Sequence, residues 1–290
     1  MSRVSLQRIV RTGVLMLSSI LSACTEVGLR AVNVPSYLMS DIVAEPDLRY
    51  GSKEHQKLDL YLPGHSTEIK QALVVFVYGG DWTSGSKEGY YFVADALASE
   101  GYTVAIVDYV KFPHATFPDF VTDIALAIEW LAGNGARFEH TERLVLMGHS
   151  AGAHTGALLI TDPRYLAAHQ FPVQRIDAFI GLAGPYAYLP QEQRYRDIFG
   201  NLDDYSEMQP LHFLSANAPP MLLLHGEDDS TVLPLHTQKF YDKAEYLGVN
   251  AKQHLYPGRS HANMVLALSR VFGQHNEVRR DILDFLQQQQ

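Results

Sequence analysis

The sequence predicts an α/β protein with a mainly parallel central sheet flanked by helices. Three observations carry this expectation. Short apolar runs bounded by glycine or proline alternate along the chain with amphipathic or small-residue segments of 10 to 15 residues, the pattern of repeated strand–helix–strand crossovers. The run Leu73-Val-Val-Phe-Val77 is apolar throughout, as a strand covered on both faces must be. The apolar run from Arg143 stops at Gly148-His149-Ser150-Ala151-Gly152 and gives way to small, helix-compatible residues. At 290 residues the chain is long enough for one large domain of this kind. Its 47% hydrophobic and 19% charged content excludes disorder. The net charge of −9, with no cluster of Lys or Arg, argues against nucleic acid as a partner, and the single cysteine excludes an intrachain disulfide.

The N-terminal residues read as a targeting segment. Arg3, Arg8 and Arg11 form a positive leader without acid, and Gly13 to Leu21 is an apolar core too short to span a bilayer. Residues 25 to about 45 have mixed composition and read as a tether or a first surface segment. Strand patterning then begins. Lys57 to Leu62 alternates in period two and ends at Pro63-Gly64, and Gln71 to Tyr78 is the central strand, running into Gly79-Gly80-Asp81-Trp82. Tyr90 to Ser99 is a helix closed by Gly101, and Thr103 to Asp108 a strand. A loop with Pro113 and Pro118 precedes an amphipathic helix over Phe120 to Leu131, whose Val121, Ile124, Ile128 and Leu131 share a face. The strand ending at Gly148 and the helix from Ala151 to Ile160 follow, then a strand over Asp177 to Leu182. Residues 183 to about 218, rich in proline and aromatics, read as a small irregular lid. Pro220 to His225 is a strand, Leu235 to Leu247 a helix and Lys252 to Tyr256 the last strand. A loop carries Gly258-Arg-Ser-His261, and Val278 to Leu286 closes the chain as a helix.

The chemistry centres on Ser150. A Gly-x-Ser-x-Gly pentapeptide alone can be a chance surface turn. A buried strand before it and a helix after it select a strained turn that lifts the hydroxyl above the sheet edge. The backbone N–H of Ala151 then lies at a helix N-terminus, aimed where an oxyanion would form. A serine hydroxyl needs a base, and the base an orienting acid. Asp229, in His225-Gly-Glu-Asp-Asp229-Ser-Thr-Val232 after an apolar strand, supplies the acid; His261, after the last strand, supplies the base. His149 and His154 sit on the serine's own turn and helix and cannot easily point back at it. His225 ends its strand and braces the acid loop.

With these residues in place, the chain resembles α/β-hydrolase-fold esterases over about residues 47 to 287, particularly the branch with a His-Gly-Gly-x-Trp motif that includes carboxylesterases and kynurenine-formamidase-like enzymes. Leu58–Pro63, Tyr78–Trp82, Gly85-Ser86-Lys87, Asp108-Tyr109, Phe117-Pro118, Gly148–Gly152, His225–Val232 and His261 carry the resemblance. It implies that Gly79, Gly80 or Asp81 supplies oxyanion N–H groups beside Ala151. The motif histidine is replaced by Tyr78, which bears on the geometry of that loop and not on the chemistry. Trp82 is expected to pack under the loop. Leu21-Ser22-Ala23-Cys24 resembles the lipobox of bacterial lipoproteins, which implies a signal peptide over 1–23, acylation of Cys24, a tether over 24–45 and a catalytic domain over 46–290. Cleavage would remove three arginines and no acid, taking the net charge from −9 to −12. Thr25 stands where an inner-membrane retention signal would have Asp, so the expected location is the cell envelope, on the outer membrane or the periplasmic face. The resemblance implies a serine hydrolase of carboxylic esters that needs neither metal nor organic cofactor, with a small-molecule ester as substrate, and the short, weakly apolar segment 183–218 points to short acyl chains. Two other readings stay open: an amide or formamide hydrolase using the same triad, and a membrane-anchored binding protein that keeps the fold without the chemistry.

Overall fold

The computed structural model describes residues 28–29, 31–65, 67–135, 143–200, 204–272 and 276–289. The expected signal peptide over residues 1–23 and the expected acylation site Cys24 lie outside the described residues. Eight strands form one sheet in the order β1-β2-β4-β3-β5-β6-β7-β8. They are β1 (Val43–Arg49), β2 (Lys57–Leu62), β3 (Ala72–Val77), β4 (Thr103–Val107), β5 (Arg143–His149), β6 (Ala178–Leu182), β7 (Met221–Gly226) and β8 (Ala251–Tyr256). From β4 to β8 every neighbouring pair is parallel. Only β2 runs against both of its neighbours, β1 and β4. The expected mainly parallel sheet is therefore present, with its antiparallel strand β2 next to the edge strand β1. Crossover helices cover both faces, so β3, β4, β6 and β7 are buried along their whole length, as their unbroken apolar runs require.

The helices are α1 (residues 31–39), α2 (Tyr91–Ala98), α3 (Asp119–Gly133), α4 (Ala151–Thr161), α5 (Pro163–Ala167), α6 (Gln193–Phe199), α7 (Pro210–Phe213), α8 (Leu235–Tyr246), α9 (His261–Leu266) and α10 (Glu277–Gln288). α4 is buried at all eleven positions, which only a helix of small and aliphatic residues tolerates at the centre of the fold. Asn276 caps α10 by accepting from the Val278 N–H at 3.0 Å, while Val278, Ile282, Phe285 and Leu286 face inward.

Two expectations need correction. The stretch read as a tether or surface segment up to residue 45 holds α1 and the start of an edge strand. β1 escapes sequence reading because Pro46 and Asp47 interrupt it: the register shifts between Glu45 and Leu48, and Asp47 takes φ 58°. The Asp47 N–H donates to Asp59 Oδ1, and the buried Lys87 ammonium bridges Asp47, Asp59 and Glu88 at 2.8 to 2.9 Å. A local break is thus repaired by a long-range ion cluster. Residues 183–218, read as irregular, contain α6, a 3-10 turn over Tyr205–Met208 and α7.

Candidate active site

Loops at the C-terminal ends of β3, β5, β7 and β8 converge on one spot, where parallel sheets present their ligand sites. Ser150 ends β5 and precedes α4, with φ 55° and ψ −121°. A non-glycine residue there costs about 1–3 kcal/mol and persists only where its surroundings dictate it. The surroundings are the two flanking glycines. A Cβ on Gly148 would sit 2.5 Å from the carbonyl of Gly152, and one on Gly152 would sit 2.0 Å from the Val77 carbonyl oxygen. Strand, turn and helix meet too closely at both positions for any side chain.

Three of the residues expected to act together do meet. His261 Nε2 lies 2.8 Å from Ser150 Oγ, and His261 Nδ1 lies 2.7 Å from Asp229 Oδ2. The expected loop position of His261 is corrected: it is the first residue of α9, placed by the β8–α9 turn. Asp229 is buried, whereas its neighbour Asp228 is exposed. Asp229 Oδ1 accepts from the Thr231 and Val232 N–H groups at 2.9 and 2.8 Å. Burial opposes ionisation of this carboxyl, but the bonds from His225, His261 and the Val232 N–H together outweigh it and hold its pKa well below the usual range. His225 braces the loop as expected. Its Nε2 faces the Val232 carbonyl at 2.8 Å and Asp229 Oδ2 at 3.1 Å, and its Nδ1 faces Thr237 Oγ1 at 2.7 Å. The acceptor-only Val232 carbonyl requires the proton on Nε2.

The loop after β3 closes the site from the other side. A Cβ on Gly79 would come within 2.9 Å of the Ser150 Cβ. Gly80, Asp81 and Trp82 all take positive φ, at 137°, 59° and 57°. Such a turn is held by what packs beneath it, and here that is Tyr78. Its ring stacks between Tyr90 and Tyr109, its hydroxyl donates to Asp108 Oδ1, and Tyr109 donates to the Tyr78 carbonyl at 3.0 Å. Trp82 is buried under the loop with its ring edge-on to His154 and Phe199, which ties the loop to α4 and α6.

Three features were not legible beforehand. His149 does not reach Ser150, yet its ring lies 4.9 Å from that of His261, and its Nε2 is 3.3 Å from the His261 backbone carbonyl. Burial, and then the charge of a protonated His261, push its pKa down to about 3. His154 donates to the Met208 carbonyl at 2.7 Å and so anchors the 183–218 segment. At the mouth, Arg194 of α6 pairs with Asp81 at 3.2 Å and packs over Tyr195. Burial raises the Asp81 carboxyl against the pull of Arg194. Nothing in the local sequence of α6 pointed to the β3 loop as its partner. Among the described residues no group of three or more His, Cys, Asp or Glu is placed to hold a metal ion.

The family model described as BD-FAE matches residues 58–185. An isoprenylcysteine alpha-carbonyl methylesterase of Arabidopsis thaliana is 31% identical over 254 residues, covering 80% of this chain and 59% of the relative. A kynurenine formamidase of Salmo salar is 26% identical, covering 74% of each chain. The chain spans about half to three-fifths of the length of the plant relatives it matches. Among solved structures, esterase B of Lactobacillus rhamnosis, inhibited by a C4-C4 SN3 tributyrin phosphonate, superposes with a TM-score of 0.78 at 19% identity, covering 96% of both chains. The chain has the α/β-hydrolase fold.

Proposed function

We propose that this chain is a serine hydrolase of carboxylic esters, with Ser150 as nucleophile, His261 as base and Asp229 as orienting acid. The observation that carries the reading is the unbroken line of hydrogen bonds from Ser150 Oγ through both His261 nitrogens to a buried, ionised Asp229. His261 takes the hydroxyl proton as Ser150 attacks the ester carbonyl. The tetrahedral oxyanion is met by the N–H of Ala151, at the start of α4, and by N–H groups of Gly79, Gly80 or Asp81 in the positive-φ turn. Loss of the alcohol, protonated by His261, leaves an acyl-serine. Water, deprotonated by the same nitrogen, releases the acid. Asp229 remains ionised throughout and stabilises the imidazolium. The esterase relatives and the β5–α4 turn support this reading over a binding protein without chemistry. A fluorophosphonate probe tests it: labelling at Ser150 is expected, and an unlabelled, folded protein would remove the nucleophile.

The substrate is proposed to be a short-chain ester. Several large apolar side chains of the 183–218 segment serve the interior: Phe199 packs on Trp82, Phe117 and Phe120, and Ile198 and Met208 are buried, while Leu189 is half exposed. Little apolar surface is left to line a long acyl groove. p-Nitrophenyl butyrate should turn over faster than the palmitate ester; the reverse order would defeat the proposal. A formamide is the second reading, favoured by the formamidase relative that matches 74% of this chain. Comparing kcat/KM for an N-formyl aryl amide and an aryl ester separates the two. Lipid attachment at Cys24 remains a proposal resting on Leu21-Ser-Ala-Cys24 after its apolar core. Mass spectrometry of the N-terminal peptide from a bacterial host tests it, with an acylated Cys24 as the expected N-terminus.

A further inference from the structure

Helix α1 packs Val32 against the core but turns most of its apolar side chains outward. A helix on a globular surface turns its apolar side inward. The inward positions of α1 include Asn33 and Ser36, both fully buried. Asn33 Nδ2 donates to the Glu88 and Gly89 carbonyls at 2.8 and 3.2 Å, and its Oδ1 accepts from the Phe92 N–H, capping α2 from outside. Ser36 and Ser40 adjoin Asp95, which is clamped by two hydrogen bonds from Arg270. These polar contacts fix the helix in one orientation. Its outward positions then present Val34, Leu38 and Met39, 51%, 79% and 64% exposed, with Tyr37 stacked on Tyr91 between them. The Arg270–Asp95 clamp brings Val271 and Phe272, both more than half exposed, to the same side of α2. Two segments far apart in sequence thus expose apolar side chains around the Arg270–Asp95 clamp, and exposed apolar side chains gathered in one region mark a binding face.

We propose that this face lies on a lipid bilayer, with α1 parallel to the membrane and its outward side chains among the headgroups and upper acyl chains. The proposal draws on the lipobox reading of Cys24. Three residues lie between Cys24 and Gly28, so over four residue steps an acylated Cys24 keeps the start of the helical segment within about 14 Å of the lipid surface. On so short a leash the second contact is effectively intramolecular, and a modest apolar face suffices. The attraction is not Coulombic. Between residues 28 and 45 the only charged residues are Arg30, Asp41 and Glu45, with no cluster of Lys or Arg, and the chain is acidic, so a zwitterionic surface serves. Docking by α1 also fixes the orientation of the β1–β2 edge of the sheet relative to the membrane.

The test uses the full chain, made in a bacterial host and reconstituted in phosphatidylcholine vesicles with or without brominated acyl chains. Tryptophan is introduced at the face by Leu38→Trp or, separately, Met39→Trp and Phe272→Trp. The control is Tyr246→Trp, at the 88% exposed end of α8 beside β8, the opposite edge of the sheet. Wild-type emission from Trp82 and Trp130 is subtracted. Emission from the three face variants should fall by roughly half or more in brominated vesicles, because the apolar side of an interfacial helix reaches the acyl boundary. Emission from the control should not change. Unquenched face variants overturn the proposal, whether the cover is residues 13–21 or a second copy; a dimer dispersed by Leu38→Glu in sedimentation would identify the latter. The N-terminal mass from the same sample keeps the two readings apart. Quenching with an unmodified Cys24 refutes the anchor alone, and an acylated Cys24 without quenching refutes the face.

Discussion

Asp229→Asn is the sharpest perturbation of the proposed machinery, because every lone pair it changes has a known partner. Asp229 Oδ1 faces two backbone donors, the Thr231 and Val232 N–H groups. Oδ2 faces His261 Nδ1 at 2.7 Å and His225 Nε2 at 3.1 Å. Asparagine has one oxygen and one NH₂ group, so one pair of donors must confront a donor. Turning the NH₂ toward the backbone loses two hydrogen bonds that cannot rearrange. The amide oxygen therefore keeps the Oδ1 place, and the NH₂ is turned to the histidines. His225 can retain its bond to the Val232 carbonyl. His261 can accept only by moving its proton from Nδ1 to Nε2, the nitrogen that must take the proton of Ser150 Oγ. The geometry survives with the wrong tautomer. That exchange costs about 10⁴-fold in the best-studied triad, and we expect about 10²- to 10⁴-fold in kcat here, or about 3–5 kcal/mol of barrier. Asp228→Asn, one residue away but exposed, should cost less than about tenfold. Both variants are assayed on p-nitrophenyl butyrate at pH 8, with circular dichroism to confirm folding. If Asp228→Asn is the more damaging, or a folded Asp229→Asn stays within about tenfold of wild type, the acid has been misassigned.

Other outcomes follow from the same contacts. Ser150→Ala and His261→Ala should each lower kcat by on the order of 10⁴-fold or more, and the double variant should be no worse than the singles, since such residues act as a unit; additive losses measured under single-turnover conditions would contradict this. Tyr78→Phe removes the donor to Asp108 Oδ1 and leaves that carboxylate the Lys87 N–H at 3.0 Å, so urea unfolding should report a loss of about 1–3 kcal/mol; an unchanged midpoint would mean that the loop does not depend on this bond. Burial, as the largest cause, depresses His149 and His154 to about 3 and about 4 from 6.5. The unfolded chain therefore binds more protons than the folded one below pH 6.5. Stability is fully present above that pH and is lost as pH falls toward the folded values, at about 1.4 kcal/mol per pH unit for each histidine. Denaturant titrations at pH 6.5 and 5 should differ by about 3 kcal/mol from these two groups, and the difference should shrink in His154→Gln, which keeps a donor for the Met208 carbonyl but does not titrate.

The sequence by itself determined the features written in short-range patterns. The turn at Gly148–Gly152 was legible because an apolar strand, two glycines and a run of small residues are adjacent in the chain. The resemblance of His225–Val232 to the family's acid loop pointed to Asp229, and strand positions were legible from unbroken apolar runs such as Ala72–Val77. Tertiary structure decided whatever depends on partners far away. β1 carries a proline and a positive-φ aspartate, and it is a strand because β2 supplies its hydrogen bonds and Lys87 bridges Asp47 to Asp59. His149, read as turned away, faces His261 across the site because the β8–α9 turn brings residue 261 to it. Asp81 and Arg194 meet across more than a hundred residues. The orientation of α1 follows from Asn33 finding the N-terminus of α2, and composition cannot foresee that, because Val34, Leu38 and Met39 by themselves would have turned inward. Periodicity reports which residues seek burial; which of them obtain it depends on the positions of distant hydrogen-bond partners and charges once the sheet has assembled.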